Sequence, residues 1–558
     1  MFCIFEGNKI WFMQYPKIPL AQSILTICKK KNINHIVISP GSRNAPLTIG
    51  FASDPFFKCY SVTDERCAAF FGLGIAQQTK QPVVLVCTSG SALLNYYPAI
   101  AEAFYSQIPL IVISADRPAS KIDIGDGQTI RQNNVFHNHI VFNANLSEEA
   151  SVANDFLINQ AINKAIIQKG PTHINAPFEE PLYDIVDQLS VNPVVNAPTP
   201  LPIIDALPID YLNKVWNFAK KKLVIIGVQD YGRLSEATLN KLANDSSIVV
   251  MTEVTSNARN KNFIASIDSL ITTLTNEELE FLKPEVLITI GGMVVSKRIK
   301  KFLRTYKPLE HWHIDELRAY DTFGALTQHI KLEPETFFTT LQYQHVQSKY
   351  QKTILDIYVQ KRNSQRNFVM NAPYSDLKVF EAISRFIPEN ILLHISNSSA
   401  IRYAQLFDLP KNIEVYCNRG TSGIDGSTST AIGASVITNK KTVVITGDVS
   451  FLYDSNALWN KYTPQNFKII VLNNRGGGIF RILPGHRDND VFNTFFETSH
   501  NYTAEHLAKM YGYNYTTCEN LTDLSKLKEF FESDSREIIE IFTPTKINDT
   551  VLKDYFKF

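Results

Sequence analysis

No apolar run in the 558 residues approaches the roughly 20 needed to cross a bilayer as a helix. Away from the N-terminus the longest, Ile108 to Ala115, has the length of a buried strand. No Cys-x-x-Cys pair occurs, and the seven cysteines, Cys3, Cys28, Cys59, Cys67, Cys87, Cys417 and Cys518, are odd in number and irregular in spacing. That excludes a disulfide framework and reads as reduced thiols in a cytoplasmic protein. An excess of either charge is also missing: 55 Lys+Arg face 54 Asp+Glu, a net +1. No global field recruits nucleic acid or an anionic membrane, so an anionic ligand must be met by local groups. Lys29 to Lys31 and Lys220 to Lys222 lack interleaved aromatics and read as solvated helix ends. With 24 glycines and 26 prolines the chain is neither low-complexity nor collagen-like. Within Met1 to Gln14, Glu6 and Lys9 interrupt the apolar patches and no small-residue cleavage site follows, a pattern that argues against a signal peptide. Met13 is the alternative start, which would leave residues 1–12 outside the native protein.

What is present is alternation. His35 to Ser39, Phe57 to Val62, Val83 to Thr88, Leu110 to Ala115 and His173 to Ala176 are strand-like, with helix-length segments between them. Prolines 193, 198, 200, 202 and 208 mark a linker. A second block carries strands at Leu223 to Gly227, Ile248 to Thr252, Val286 to Ile290 and His311 to Asp315. A third carries Ile391 to Ile395, Glu414 to Cys417, Thr442 to Thr446, Lys468 to Leu472 and Glu537 to Phe542. The pattern predicts an α/β chain of three doubly wound parallel-sheet domains in series, over residues 14–190, 205–350 and 370–558. No sequence repeat links them.

Chemistry concentrates in the third block. Thr442 to Asp448 is a strand ending in Gly-Asp, and Phe467 to Asn474 is one ending in Asn-Asn, followed by Arg475-Gly-Gly-Gly478. One crossover helix over 449–466 would set these ends side by side at the carboxyl edge of a parallel sheet, where such folds bind ligands. The Asp448 carboxylate, the Asn474 amide oxygen and the Gly476 carbonyl would then offer the hard oxygens that Mg²⁺ prefers, with diphosphate and water completing the octahedron. Gly-Asp at a strand end is commonplace; the pair at this spacing is not.

The pair resembles the thiamine diphosphate motif, Gly-Asp-Gly followed some 25 residues later by Asn-Asn, with Val449 in place of the third glycine. Gly447-Asp-Val-Ser450 is similar to one branch of these enzymes. The resemblance implies thiamine diphosphate bound with Mg²⁺, or Mn²⁺ in its place, by Gly447, Asp448, Ser450, Asn474 and Gly476. It also implies an acid for the aminopyrimidine ring. Glu65, in Ser61-Val-Thr-Asp-Glu-Arg66, is the candidate general acid/base; the bland alternative is a solvated helix start. A carboxyl group in an apolar pocket there would have a raised pKa. Ile424, in the loop from Arg419 to Gly426, would bend the cofactor; a plain Gly-rich loop is the alternative. In this family the cofactor spans domains of different subunits, so a homodimer or homotetramer is implied.

Ile38 to Leu47, Asp64-Glu-Arg66, Cys87 to Gly90, Asn95 to Pro98, Ala115 to Pro118, Gln128 to Gln132, Gly170 to Phe178, Glu180 to Tyr183, Asn418 to Gly426 and Gly447 to Asp454 together resemble the MenD family of the menaquinone pathway. That resemblance implies a synthase that decarboxylates 2-oxoglutarate on thiamine diphosphate and adds the four-carbon unit to isochorismate. Both substrates are polyanions. The matching substrate positions are Ser42, Arg43, Arg117, Gln128, Lys297, Asn397, Ser398, Arg402 and Arg419, with Ile479, Phe480 and Leu483 lining the pocket. Arginine suits carboxylates because its planar fork binds them bidentately. Taken singly, each arginine reads equally as a structural salt bridge and each apolar residue as core. His394 reads as a buried strand histidine. Another 2-oxo acid carboligase, such as an acetohydroxyacid synthase-like enzyme with a nucleotide-binding middle domain, and a non-catalytic family member are the competing readings.

Overall fold

A computed structural model describes residues 4–6, 9–11, 14–199, 207–344, 346–483, 485 and 487–558. Cys3, Met13, Pro200 and Pro202 lie outside them. The chain forms two compact units, each assembled from separate stretches. The first comprises Met1–Pro202, Gly420–Asn439 and Tyr453–Pro464, and the second Ile203–Arg419, Lys440–Leu452 and Gln465–Phe558.

The first unit holds a six-stranded parallel sheet: β1 (His35–Ile38), β2 (Lys58–Ser61), β3 (Val83–Cys87), β4 (Leu110–Asp116), β5 (Phe142–Asn145) and β6 (Thr172–Pro177), in the order β2-β1-β3-β4-β6-β5. Strands β3, β4 and β6 are buried at every residue, because helices cover both faces of the sheet, and so they read as continuous apolar runs. The Glu65–Thr79 helix starts on an Asp64 cap, whose carboxylate accepts the Cys67 N–H at 3.1 Å. It packs against the Ser427–Ser435 helix through glycine. A Cβ on Gly74 would stand 2.0 Å from the Thr430 carbonyl oxygen, and one on Gly433 would stand 1.9 Å from that of Phe71. Only residues without a side chain allow this backbone approach.

The second unit carries two parallel sheets. One contains β7 (Lys222–Ile226), β8 (Ile248–Thr252), β9 (Val286–Ile290), β10 (Glu310–Ile314) and β11 (Gln328–Ile330), ordered β8-β7-β9-β10-β11. The other contains β12 (Leu392–Ile395), β13 (Glu414–Tyr416), β14 (Thr442–Gly447), β15 (Phe467–Asn473), β16 (Asn514–Cys518) and β17 (Glu537–Phe542), ordered β13-β12-β14-β15-β17-β16. This order repeats that of the first sheet strand for strand, although the two sequences share no visible repeat. Residues 351–369 lie in a 22-residue helix, Tyr350–Asn371.

Two expectations are corrected. The span 449–466 is not one crossover helix: it holds the short Asp448–Tyr453 helix and a single 3₁₀ turn at Ser455–Leu458. Lys222 is not a solvated helix end. It opens β7 fully buried, with its ammonium 4.6 Å from the Trp216 ring and donating to the Trp216 carbonyl at 3.1 Å. A cation facing an aromatic face and a carbonyl recovers part of its lost hydration.

Candidate active site

In the first unit the candidate residues gather at the carboxyl ends of the strands. Ser42 and Arg43 follow β1, and Arg117 follows β4. The Arg43 guanidinium is buried, donating to the Phe178 carbonyl at 2.9 Å and to Glu180 at 3.0 Å. Arg117 lies 3.8 Å from Asp126. Gln128 sits at φ 55°, its backbone against Gly90, where a Cβ would come within 3.2 Å of the Gln128 carbonyl oxygen. Gln132 anchors the end of this loop: its side-chain oxygen accepts the Gly90 N–H at 2.9 Å, and its amide nitrogen donates to Asn175 at 2.8 Å.

Glu65 is the first residue of its helix, partly exposed, and accepts from the Asn95 amide at 3.4 Å. The Gly420–Gly426 loop, which carries Ile424, also belongs to this unit. Its start is clamped by Glu102, the one charged residue of the apolar Tyr97–Ser106 helix. The buried Glu102 carboxylate accepts from Gly420 N at 2.7 Å, Thr421 N at 2.6 Å, Thr421 Oγ1 at 2.9 Å and Ser106 Oγ at 2.7 Å. At the loop's end Gly426 takes φ +68°, and a Cβ there would meet the Phe70 ring at 2.2 Å.

In the second unit β14 and β15 pair in parallel with Gly447 opposite Leu472, so Asp448 and Asn474 leave adjacent strand ends. Asp448 Oδ2 accepts the Gly476 N–H at 2.9 Å, and Oδ1 accepts the Val449 N–H at 2.7 Å. Gly476 takes φ +150°, with a prospective Cβ 2.6 Å from the Glu497 carbonyl oxygen, and a Cβ on Gly447 would meet nothing within 4 Å among the described residues. The Asn474 amide nitrogen donates to Asp376 at 3.1 Å, while its oxygen is buried with no partner among the described residues. A buried polar atom left unpaired costs about 1–3 kcal/mol unless something completes it. Carboxylate, amide oxygen and backbone beside open space are the donor chemistry a hard cation takes. His500 adds a buried imidazole 3.4 Å from Asp448 Oδ2. Burial pushes the Asp376 carboxyl up to about 6.

A cationic cluster stands at the ends of β12 and β13 in the same unit. Arg419 donates to Asn397 Oδ1 at 2.7 Å, and Asn397 donates to the Asn418 carbonyl at 2.7 Å. Ser398 is held at φ 69° before the Ser399–Ala404 helix, which carries Arg402. Burial, and then the Arg419 charge, hold Arg402 below its ordinary pKa. Lys300 feels both arginines and is held down by burial against the opposite pull of Glu253. Glu253 is buried at the end of β8 and accepts the N–H groups of Val295 at 2.7 Å and Ser296 at 2.8 Å, fixing the start of the Lys297–Thr305 helix. Burial pushes its carboxyl up to about 6. Lys297 is exposed one turn before Lys300 on that helix. Ser450 Oγ reaches Ser396 Oγ at 3.5 Å. Phe480 and Leu483 are exposed and Ile479 is half-buried, so these apolar residues are not core.

Sequence reading missed Glu102, Asp376, His500, Glu253 and Lys300. The signal that could have found the first is its being a lone acid in an apolar helix, and Lys300 lies at helical spacing from Lys297. The other three act through residues distant in sequence. In the central sheet the strand order reverses between β7 and β9, the crevice where doubly wound folds take nucleotides. Main chain fills it here: Gly292 N donates to the Val228 carbonyl at 2.7 Å, and a Cβ on Gly227 would lie 2.0 Å from the Gly292 oxygen. Among the described residues no helix is long and apolar enough to cross a membrane.

Residues 18–143 match the family described as thiamine pyrophosphate enzyme, N-terminal TPP binding domain. Residues 209–395 match the middle domain of thiamine pyrophosphate enzymes, and 398–541 the C-terminal TPP binding domain. Among curated relatives, a protein of Flavobacterium johnsoniae is 61% identical over 551 residues, covering 98% of this chain and all of its own length. One of Flavobacterium psychrophilum is 60% identical over 549 residues with the same coverage. One of Phocaeicola vulgatus is 37% identical over 555 residues, covering 96% of this chain and 97% of its own. All three are named 2-succinyl-5-enolpyruvyl-6-hydroxy-3-cyclohexene-1-carboxylate synthase. The two strand ends that present Asp448 and Asn474, and the helix that starts at Glu65, are thus parts of a thiamine diphosphate-dependent C–C bond-forming enzyme: this chain belongs to the 2-succinyl-5-enolpyruvyl-6-hydroxy-3-cyclohexene-1-carboxylate synthase family.

Proposed function

We propose that the protein decarboxylates 2-oxoglutarate and joins the remaining four-carbon unit to isochorismate, giving 2-succinyl-5-enolpyruvyl-6-hydroxy-3-cyclohexene-1-carboxylate and CO₂. The observation that carries this reading is the buried Asn474 oxygen beside Asp448, without a partner among the described residues, an oxygen set that fits a divalent cation and, through it, a diphosphate. The names of the relatives give the product, and the sequence resemblance to the family implies the two substrates. Thiamine diphosphate, when bound, supplies the nucleophilic carbon and the electron sink for decarboxylation.

The protein's share is binding, orientation and proton placement. Asp448, Asn474 and the Gly476 carbonyl hold Mg²⁺, for which Mn²⁺ can substitute. Gly447 and Ser450 leave room for the diphosphate, and Ile424 sets the bend of the cofactor. Glu65 holds a proton at the aminopyrimidine ring nitrogen. Arg402 and Arg419, with Asn397, Ser398 and Lys297, hold substrate carboxylates in the second unit; Ser42, Arg43, Arg117 and Gln128 do so in the first. Ile479, Phe480 and Leu483 exclude water. Glu65 and the metal cradle serve one cofactor across two copies of the chain, so the working enzyme is a cytoplasmic homodimer or homotetramer with domains at 14–190, 205–350 and 370–558. The filled crevice of the central sheet disfavours the acetohydroxyacid synthase-like alternative.

The test is incubation with 2-oxoglutarate, isochorismate, thiamine diphosphate and Mg²⁺, with mass detection of the adduct, alongside pyruvate as the sole oxo acid. Adduct from the first mixture is the expected result. CO₂ from pyruvate with no adduct from isochorismate would overturn the assignment.

A further inference from the structure

We propose that Asp376 is a positioning residue that decides which atom of the Asn474 side chain meets the cation, an inference that rests on the metal reading above. Asp376 begins the Asp376–Phe386 helix and is 2% exposed. Its backbone N–H donates to Asn548 Oδ1 at 2.9 Å, and its Oδ1 accepts from Thr543 Oγ1 at 2.6 Å. Its remaining oxygen, Oδ2, accepts the Asn474 amide at 3.1 Å. On the other side, Thr545 Oγ1 donates to the Asn474 carbonyl at 2.9 Å, so the residue is pinned at both ends.

An asparagine side chain has two nearly isosteric orientations, and only one presents oxygen to a metal. An ionised carboxylate accepts and cannot donate, so it admits only the orientation with the NH₂ group toward it. The flipped amide would set oxygen against oxygen at Asp376 and offer the cation two N–H donors. The orientation that satisfies Asp376 is the one that leaves Asn474 Oδ1 buried and, among the described residues, partnerless. Asp376 thus acts on the metal only through Asn474, as outer-shell carboxylates do for metal-bound histidines.

Asp376→Asn keeps the size of the side chain but can donate as well as accept, and so releases the constraint. The experiment measures the Kd for Mg²⁺ by calorimetry on protein saturated with thiamine diphosphate, without substrate, in four proteins: wild type, Asp376→Asn, Asn474→Ala and the double variant. The expected result is a 10- to 100-fold weaker Kd for Asp376→Asn and no further loss from it in the Asn474→Ala background. Turnover of Asp376→Asn should recover most of its kcat at saturating Mg²⁺, a split that general misfolding would not give. An unchanged Kd for the folded single variant, or the same loss persisting without Asn474, overturns the proposal. Wild-type Mg²⁺ affinity in Asn474→Ala alone would instead sink the metal reading and this inference with it. If Asp376→Asn does not fold, Asp376→Ser takes its place in the same cycle.

Discussion

The Glu102 carboxylate receives the backbone N–H of Thr421 at 2.6 Å across 319 positions of sequence. With Gly420 N, Thr421 Oγ1 and Ser106 Oγ also donating to it, this one buried side chain fixes the entry to the loop bearing Ile424. Glu102→Gln turns one acceptor into a donor facing N–H groups. We expect thiamine diphosphate to bind about 10-fold more weakly, roughly 1.4 kcal/mol, with kcat less affected. Calorimetric titration checks this, and an unchanged Kd would separate the clamp from cofactor binding.

Glu65→Gln should retain cofactor binding within a few fold while turnover falls by about two to four orders of magnitude, the usual share of a positioned proton donor. Steady-state rates beside a binding isotherm test the split. Normal turnover would mean that another acid serves the ring.

Arg402 and Arg419 sit within each other's field, with Lys300 beside them. Each charge-assisted contact to a carboxylate is worth about 1.5–3 kcal/mol, so Arg419→Ala should lower kcat/KM by about 10- to 150-fold. Lys300→Met should raise the KM of one substrate by a smaller factor and lower the salt sensitivity of kcat/KM. If Lys300→Met changes neither, Lys300 is a helix-surface charge and not part of the anion site.

Stability should fall with acid. His173 and His394 are buried and held down to about 3, and His35, His311 and His313 to about 4, all chiefly by burial. The unfolded chain takes up these protons near pH 6.5 and the folded one does not. Stability is therefore complete above about 6.5 and is lost as pH falls toward 3. Glu253, Asp376 and Asp454, raised to about 6, act in the opposite sense between their ordinary range and pH 6. Burial raises the Asp116 carboxyl as well, and five histidines against these four carboxyls leave the histidine effect dominant. Melting temperature should drop from pH 7 to pH 5, and His394→Phe should reduce the drop; an unaltered drop would place the acid sensitivity elsewhere.

Gly433→Ala should destabilise the first unit by about 3 kcal/mol or more, since the added methyl would meet the Phe71 carbonyl oxygen at 1.9 Å. Thermal melting reads this directly. A melting point within a degree of wild type would show that the helices part without cost.

Central strands were readable, as were the edge strands Lys58–Ser61, Ile248–Thr252 and Glu414–Tyr416, and three polar edge strands were not. The buried runs at Val83–Cys87 or Phe467–Asn473 carry their apolar character in the residues themselves. Phe142–Asn145, Gln328–Ile330 and Asn514–Cys518 end their sheets, face water on one side and are polar, so their sequences resemble loops. The site divides in the same way. Asp448 and Asn474 announce themselves by local spacing after strands. Asp376, 98 positions from Asn474, and Glu102, 318 from Gly420, take their roles from chain reversals that no local window contains.

The helix from Glu65 to Thr79 completes its packing only against Ser427–Ser435, which is made much later. At about 5–20 residues per second, the ribosome needs roughly 20–70 s to travel from one to the other. During that interval the nascent N-terminal sheet carries an uncovered glycine-lined helix face. Fragments ending before residue 427 should accordingly depend on chaperones and aggregate when these are scarce, and a piece that reaches Pro464, not the first third of the chain, is what yields a finished N-terminal unit.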